Sequence, residues 1–326
     1  MAAATPPPTV VDYPLLLADI GGTHLRLGVK AHPEAAIGRQ RTLETGAFAT
    51  LDDAIAAWLD AGDRLGSAAL AIAAPVRAGP IRLTNTNFVI DPDAVVRRFG
   101  LTEIRLMNDF EAQAWSLPTL SADDSVALGP RAPDGGGTMA VIGPGTGLGC
   151  AGLVLTGHGW TTLPGEGGHM TLSAQSDLEG AVIARARDEL DHVSAERLVS
   201  GSGLPLLYRC LADVLGEEAD PALDDGARIA EAASGSALAA ATIDLFGAFL
   251  GGFAGNVALT LGARGGVWIA GGIAPRLVDR LAASPFRDRF ESKGRFKSYL
   301  EPIGTAIITR PNPALGGLAF AVEHGL

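Results

Sequence analysis

Thr138-Met-Ala-Val-Ile-Gly-Pro-Gly-Thr-Gly-Leu-Gly-Cys-Ala-Gly-Leu-Val-Leu155 is the stretch that separates two readings of this chain. The apolar run Thr138 to Ile142 reads as a strand entering a glycine-rich turn. A dinucleotide fingerprint at this point needs Gly-x-Gly-x-x-Gly opening a helix. Here the glycines alternate from Gly143 to Gly149, and Cys150 to Leu155 is a second apolar strand. The unit is strand–turn–strand. The same design stands near the start: Tyr13 to Ala18 reads as a strand, Asp19-Ile-Gly-Gly-Thr23 turns, and Leu25 to Lys30 continues as a strand. One design used twice, among further strands and helices, makes an α/β protein.

Glycines in such turns let backbone N–H groups approach a ligand closely. Thr23 adds a hydroxyl, and Asp19 at a strand end can hold Mg²⁺, usually through water. Taken alone, Gly21-Gly22-Thr23 fits an ordinary hairpin as well as a phosphate cradle. The richer turn at Gly145-Thr146-Gly147 leans toward a ligand. A third glycine pair, Gly271-Gly272, comes after the apolar strand Gly265 to Ala270 and precedes a helix starting near Pro275. That arrangement suits close helix–strand packing, or a flat or phosphorylated group at the helix start.

The chemistry centres on Arg105-Leu-Met-Asn-Asp-Phe-Glu111. Glu103 to Met107 reads as a strand and Asp109 to Leu117 as a helix. Asn108-Asp109 then lies at a strand-to-helix junction, where an Asp caps the helix and a side chain can point toward a ligand. A carboxylate there can orient a hydroxyl and accept its proton. Pro164-Gly-Glu-Gly-Gly-His169 places Glu166 and His169 on a glycine-rich loop, a spacing that reflects no helical face. Glu196 lies just after Ser194 at the start of a short helix and alone would read as a solvated carboxylate.

The 326 residues, 47% apolar and 19% charged, allow ample core in two domains or one large one. A net charge of −11 argues against nucleic acid and against an anionic membrane surface. It does not argue against an anionic nucleotide, which helix ends and metal ions can hold. Cys150 and Cys210 lack metal-ligand spacing and read as reduced core residues of a cytosolic protein. Met1 to Val11 has no basic segment followed by an apolar one and reads as a loose tail. Ser236 to Leu261 is long and nearly uncharged, but Asp244 and Asn256 fall inside it, so it reads as a buried core helix. The texture changes over Ser121 to Gly137, near whose start a domain boundary is expected.

The ordered set Asp19-Ile-Gly-Gly-Thr23, Leu83-Thr-Asn85, Asn108-Asp-Phe110, Gly143-x-Gly-Thr-Gly-Leu-Gly149, Leu163-Pro-Gly-Glu-Gly-Gly-His169, His192-Val-Ser-Ala-Glu-Arg197, Ala270-Gly-Gly-Ile273 and Gly294-Arg-Phe-Lys297 resembles the bacterial ATP-dependent glucokinases. The resemblance runs over nearly the whole chain from Leu15. It implies two ribonuclease H-like domains of the actin/hexokinase type flanking a cleft, and a homodimer. The expected partition is a disordered tail at 1–12, a small domain from 13–119 plus 311–326, and a large domain from 120–310. Carried over by position, it implies that Asp109 is the catalytic base. Asn108, Asp109, Glu166, His169 and Glu196 bind glucose. Asp19, Gly21, Gly22, Thr23, Gly145, Thr146, Gly147, Gly271 and Gly272 bind ATP, with Mg²⁺ near Asp19. His24 stands where the first turn usually continues with Asn, and Pro144 where a small residue is common. The cysteine-rich zinc motif of the related repressor/kinase group is absent, so His169 is expected on the sugar and not on zinc. No DNA-binding domain is expected ahead of Leu15. Competing expectations are a kinase for another hexose or amino sugar, and a sugar sensor without turnover.

Overall fold

β1 (Leu15–Ile20) is buried at every position, the pattern of a strand covered on both faces. β2 (His24–Lys30) returns antiparallel beside it, and β3 (Ile37–Glu44) continues antiparallel to the edge. β4 (Ser67–Ile72) pairs parallel with β1 on the other side and is also wholly buried. A small ribbon, β5 (Ile81–Arg82) with β6 (Val89–Ile90), lies off this sheet. β7 (Glu103–Asn108) pairs parallel with β4 and completes the order β3-β2-β1-β4-β7. The computed structural model describes residues 11–74, 76, 79–83 and 87–324. Thr84 and Asn85, which carry part of one motif above, lie outside them, as does most of the expected N-terminal tail.

The second half repeats the scheme. β8 (Ser125–Ala127) comes first, then β9 (Met139–Pro144), β10 (Leu148–Thr156), β11 (Gly159–Gly165), β12 (Gly266–Ile269) and β13 (Thr305–Ile308). The order is β11-β10-β9-β12-β13-β8. β9 pairs antiparallel with β10 and parallel with β12, and β12 pairs parallel with β13. Strand for strand this matches the first sheet. β8 is an added antiparallel edge in a stretch whose polar texture reads as a connection.

The chain divides into two compact units. One takes the chain to Thr119, the segment Thr156–Thr162 and everything from Pro311; the other takes Leu120–Leu155 and Leu163–Arg310. The first has a core built from Leu16, Ile20, Leu27, Ile55, Leu70 and Phe88. The helix that opens at Asp109 (Asp109–Ser116) is held by the closing helix Pro313–His324. A Cβ on Gly317 would lie 1.9 Å from the Ala112 carbonyl oxygen, so only glycine permits the two backbones to cross this closely. Trp115 packs on Phe320 beside that crossing.

In the second unit the helix Ala237–Leu261 runs through the core. Among the described residues it is the one helix long and apolar enough to cross a membrane, but it is mostly buried in protein. Gly247, Gly251 and Gly255 recur every four residues along one face. A Cβ added at each would meet Ser284 Oγ at 2.3 Å, the Phe286 carbonyl at 2.0 Å and the Phe290 carbonyl at 2.5 Å, respectively. The glycine stripe therefore seats the helix Phe286–Glu291, which sequence periodicity does not reveal. Beneath it, Lys293 Nζ donates to the Gly252 carbonyl (2.9 Å) and to Asn256 Oδ1 (2.7 Å), and Arg289 pairs with buried Glu179.

Candidate functional site

The sequence places four candidate ligand-binding features at strand ends, the three glycine turns and the Asn108-Asp109 junction, and sheet register decides which of them meet. In the first unit Ile20 stands opposite Ile72, and Ile72 opposite Asn108. The turn after β1 and the junction after β7 thus open from the same edge, two strand spacings or about 10 Å apart. In parallel sheets that carboxyl edge is where ligands bind.

At the junction, Asn108 and not Asp109 is the helix cap. Its Oδ1 accepts the Phe110 N–H at 2.9 Å, while Asp109 is the first helical residue and its Oδ1 accepts the same N–H at 3.0 Å. The expectation of an Asp cap is corrected by one residue because β7 runs through Asn108. Both side chains are half-buried.

The first turn is pinned from outside. The Gly21 N–H donates to the His24 carbonyl (3.0 Å), and Thr45, buried, donates through Oγ1 to the Gly21 carbonyl (2.8 Å) and through its N–H to the Thr23 carbonyl (2.9 Å). The N–H groups of Gly22 and Thr23 donate to no group among the described residues, and both residues are exposed. They are the donors left for a ligand. A Cβ on Gly22 would meet nothing within 4 Å, so the open space lies above that residue.

Asp19 is 9% exposed and lies directly across β2 from Arg26, whose Nη1 reaches its Oδ2 at 2.9 Å. Burial raises the Asp19 pKa, and Arg26 opposes that rise. The pairing is invisible without the strand register. No group of three or more His, Cys, Asp or Glu suited to a metal occurs among the described residues. One carboxylate beside a phosphate cradle nonetheless fits Mg²⁺, which takes one or two carboxylates and fills its shell with phosphate oxygens and water.

In the second unit four features converge on β9 and the start of β10. The turn Gly145-Thr146-Gly147 leaves the end of β9, with the Gly145 N–H donating to the Gly147 carbonyl at 2.8 Å. It is backed by a loop that the sequence reading does not single out: the Gly201 N–H donates to the Gly145 carbonyl (2.8 Å) and Ser202 Oγ to the Thr146 carbonyl (2.6 Å). Ser200-Gly-Ser-Gly203 is the available signal, a run of small residues between two helices. Gly271 has φ +89°, and a Cβ added there would lie 2.5 Å from the Pro144 carbonyl, so the second and third glycine turns abut. After the third turn the chain forms a short 3₁₀ turn, Ala274–Arg276, and then the six-residue helix Val278–Ala283, not a helix opening at Pro275.

Glu166 and His169 do share a face. Gly167–His169 forms a single 3₁₀ turn, in which residues three apart eclipse, and His169 Nε2 lies 4.0 Å from Glu166 Oε2. Both side chains are mostly exposed, at 62% for His169 and 74% for Glu166. The turn sits on β10: a Cβ on Gly168 would fall 1.9 Å from the Leu148 carbonyl. From its other side Leu148 donates its N–H to Glu196 Oε2 at 2.9 Å. Leu148 is thus the residue around which Glu166, His169 and Glu196 gather. Glu196 is carried by the four-residue helix Ala195–Leu198, held by the Ala195 N–H on the Met170 carbonyl at 2.8 Å. Ser194 precedes that helix, but its hydroxyl makes no cap bond. Cys150 and Cys210 are free and buried, and burial pushes both thiols up to about 11, which makes them poor nucleophiles.

A family model described as Glucokinase matches residues 16–325. A glucokinase from Neisseria gonorrhoeae is 40% identical over 319 residues, covering 97% of this chain and 96% of its own. Among solved structures, a glucokinase from an Antarctic psychrotroph superposes with a TM-score of 0.85 at 34% identity, covering 95% of this chain and 98% of its own. A ROK family glucokinase from Streptomyces griseus, in complex with glucose and AMPPNP, shares the fold at a TM-score of 0.61 and 22% identity, covering 93% and 98%. The two matching sheets are those of the actin/hexokinase-like ATPase fold.

Proposed function

The chain belongs to the glucokinase family, and from that premise we propose that it transfers the γ-phosphoryl group of ATP to the 6-hydroxyl of D-glucose. The observation that carries this reading is the cross-strand row Ile20, Ile72 and Asn108. It sets the Asp109 carboxylate and an exposed pair of backbone donors, Gly22 and Thr23, at one edge of one sheet.

Phosphoryl transfer needs positioning and charge neutralisation more than covalent help. Backbone N–H groups of the two glycine turns suit the phosphate chain, and the glycine pair at Gly271-Gly272 suits the adenosine end. Asp109 orients the primary alcohol and takes its proton as the bond to phosphorus forms. Glu166, His169, Glu196 and Asn108 offer acceptors and donors to the remaining hydroxyls, and such a set rejects an analogue lacking one of them. Asp19 would hold Mg²⁺, which when bound offsets the negative charge of the phosphates. Family membership supports a soluble, cytoplasmic homodimer, and the two buried, unpaired thiols agree with a reducing compartment.

The test is ADP release with Mg-ATP against a panel of glucose, mannose, fructose and N-acetyl amino sugars. Glucose should give the highest kcat/KM. A higher value with another sugar would replace the substrate, and no release with any of them would remove the kinase reading.

A further inference from the structure

We propose that Glu196 is a positioning residue for the second glycine turn as well as a sugar ligand, so that one carboxylate ties the phosphate cradle to the hexose. The inference rests on the function proposed above for both features. Glu196 Oε2 accepts the Leu148 N–H at 2.9 Å, a bond strengthened by the carboxylate charge. Leu148 is the first residue after Gly147 and begins β10. The other bonds that shape the turn act on its carbonyls, through Gly201 and Ser202, or close it internally from Gly145 to Gly147. The bond to Glu196 fixes the exit of the turn. Glu196 Oε1 makes no hydrogen bond among the described residues and is left for a ligand hydroxyl.

Gly147 records how closely the two are fitted. Its backbone is not left-handed, so alanine is conformationally admissible there. Yet a Cβ would lie 2.4 Å from Glu196 Oε2 and 3.1 Å from Glu196 Cδ, and the third nearest atom is Glu196 Oε1 at 3.8 Å. What a Cβ at this position meets is the carboxylate and not the turn itself, so an alanine here would push the end of the Glu196 side chain off the Leu148 N–H. A hexose drawing on Oε1 therefore acts on a group already bonded to the nucleotide turn, without any intervening element.

Binding of Mg-AMPPNP in the absence of sugar tests this, measured by calorimetry on the full chain. E196A should weaken AMPPNP by about tenfold, the worth of a hydrogen bond to a charged group. E196Q keeps an acceptor oxygen and should stay within about threefold of wild type. E196D keeps the charge but withdraws it, and should behave as E196A does, which preserves the test if the alanine variant folds poorly. G147A should cost less AMPPNP affinity in the E196A background than in wild type, because the clash is then gone. Unchanged or tighter AMPPNP binding in both E196A and E196D would overturn the proposal, as would a G147A cost equal in the two backgrounds. Wild-type protein that binds AMPPNP in this Glu196-dependent way but phosphorylates no glucose would instead sink the function proposed above.

Discussion

Replacing Gly168 by alanine should disable the sugar side of the site while leaving the fold standing. Gly168 is buried in the middle of the turn that carries Glu166 and His169. Its backbone is not left-handed, so alanine strains no dihedral. The obstacle is space: the new Cβ would lie 1.9 Å from the Leu148 carbonyl oxygen and 3.0 Å from the carbonyl carbon. Leu148 is fixed in register against Pro144 and bonded to Glu196, so the turn and not the strand must yield. Restoring a tolerable contact lifts the turn by about 1 Å, and a misplacement of that size commonly costs on the order of 10²-fold in rate. Overpacking should also lower stability by about 1–3 kcal/mol, which a domain of this size survives. The assay is kcat/KM for glucose by ADP release, with G165A as control. A Cβ on Gly165 meets nothing within 4 Å, so G165A should stay within about threefold of wild type. G168A with wild-type kcat/KM and wild-type unfolding would refute the reasoning.

Other variants probe the scaffold. G251A should lower the unfolding free energy by about 1–3 kcal/mol in urea, since its Cβ would sit 2.0 Å from the Phe286 carbonyl. Its neighbour G252A, whose nearest atom is Gln175 Nε2 at 3.7 Å, should instead gain up to about 1 kcal/mol from a lower helix penalty. Equal effects would remove the glycine-stripe account. Burial first, and then Arg289, push Lys293 from 10.5 down to about 8, with Glu179 opposing. Between those values the unfolded side chain is protonated and the folded one is not, so the contribution of Lys293 to stability should rise with pH from about 8 to 10.5. Urea titrations of wild type and K293M should show the stability of wild type relative to K293M growing over that window while the two buried thiols, common to both, cancel, and a constant difference would contradict it.

The alternating glycines from Gly143 to Gly149 carried most of the fold, because strand–turn–strand and strand–turn–helix differ in glycine spacing itself. The Asn108-Asp109 junction was legible for a similar reason: an apolar run stops where a polar pair begins. Features that depend on strand register or on tertiary contact were not. Arg26 faces Asp19 only once β1 and β2 are aligned, and nothing local links Glu196 to Leu148, 48 residues away. Glu166 and His169 show no common face in the sequence because Gly-Glu-Gly-Gly has no helical propensity. The 3₁₀ turn forms because Gly168 can lie flat on Leu148, a tertiary cause. β8 and the helix Phe286–Glu291 are too short to show a period.

Asp109 is the residue on which the proposed chemistry turns, and D109A measures its part most directly. Turnover of glucose and Mg-ATP should fall by about 10²–10⁴-fold, the usual worth of a positioned base. Calorimetry should still show the variant folded and binding AMPPNP. Wild-type turnover in a folded D109A protein would contradict the claim that this carboxylate activates the sugar hydroxyl.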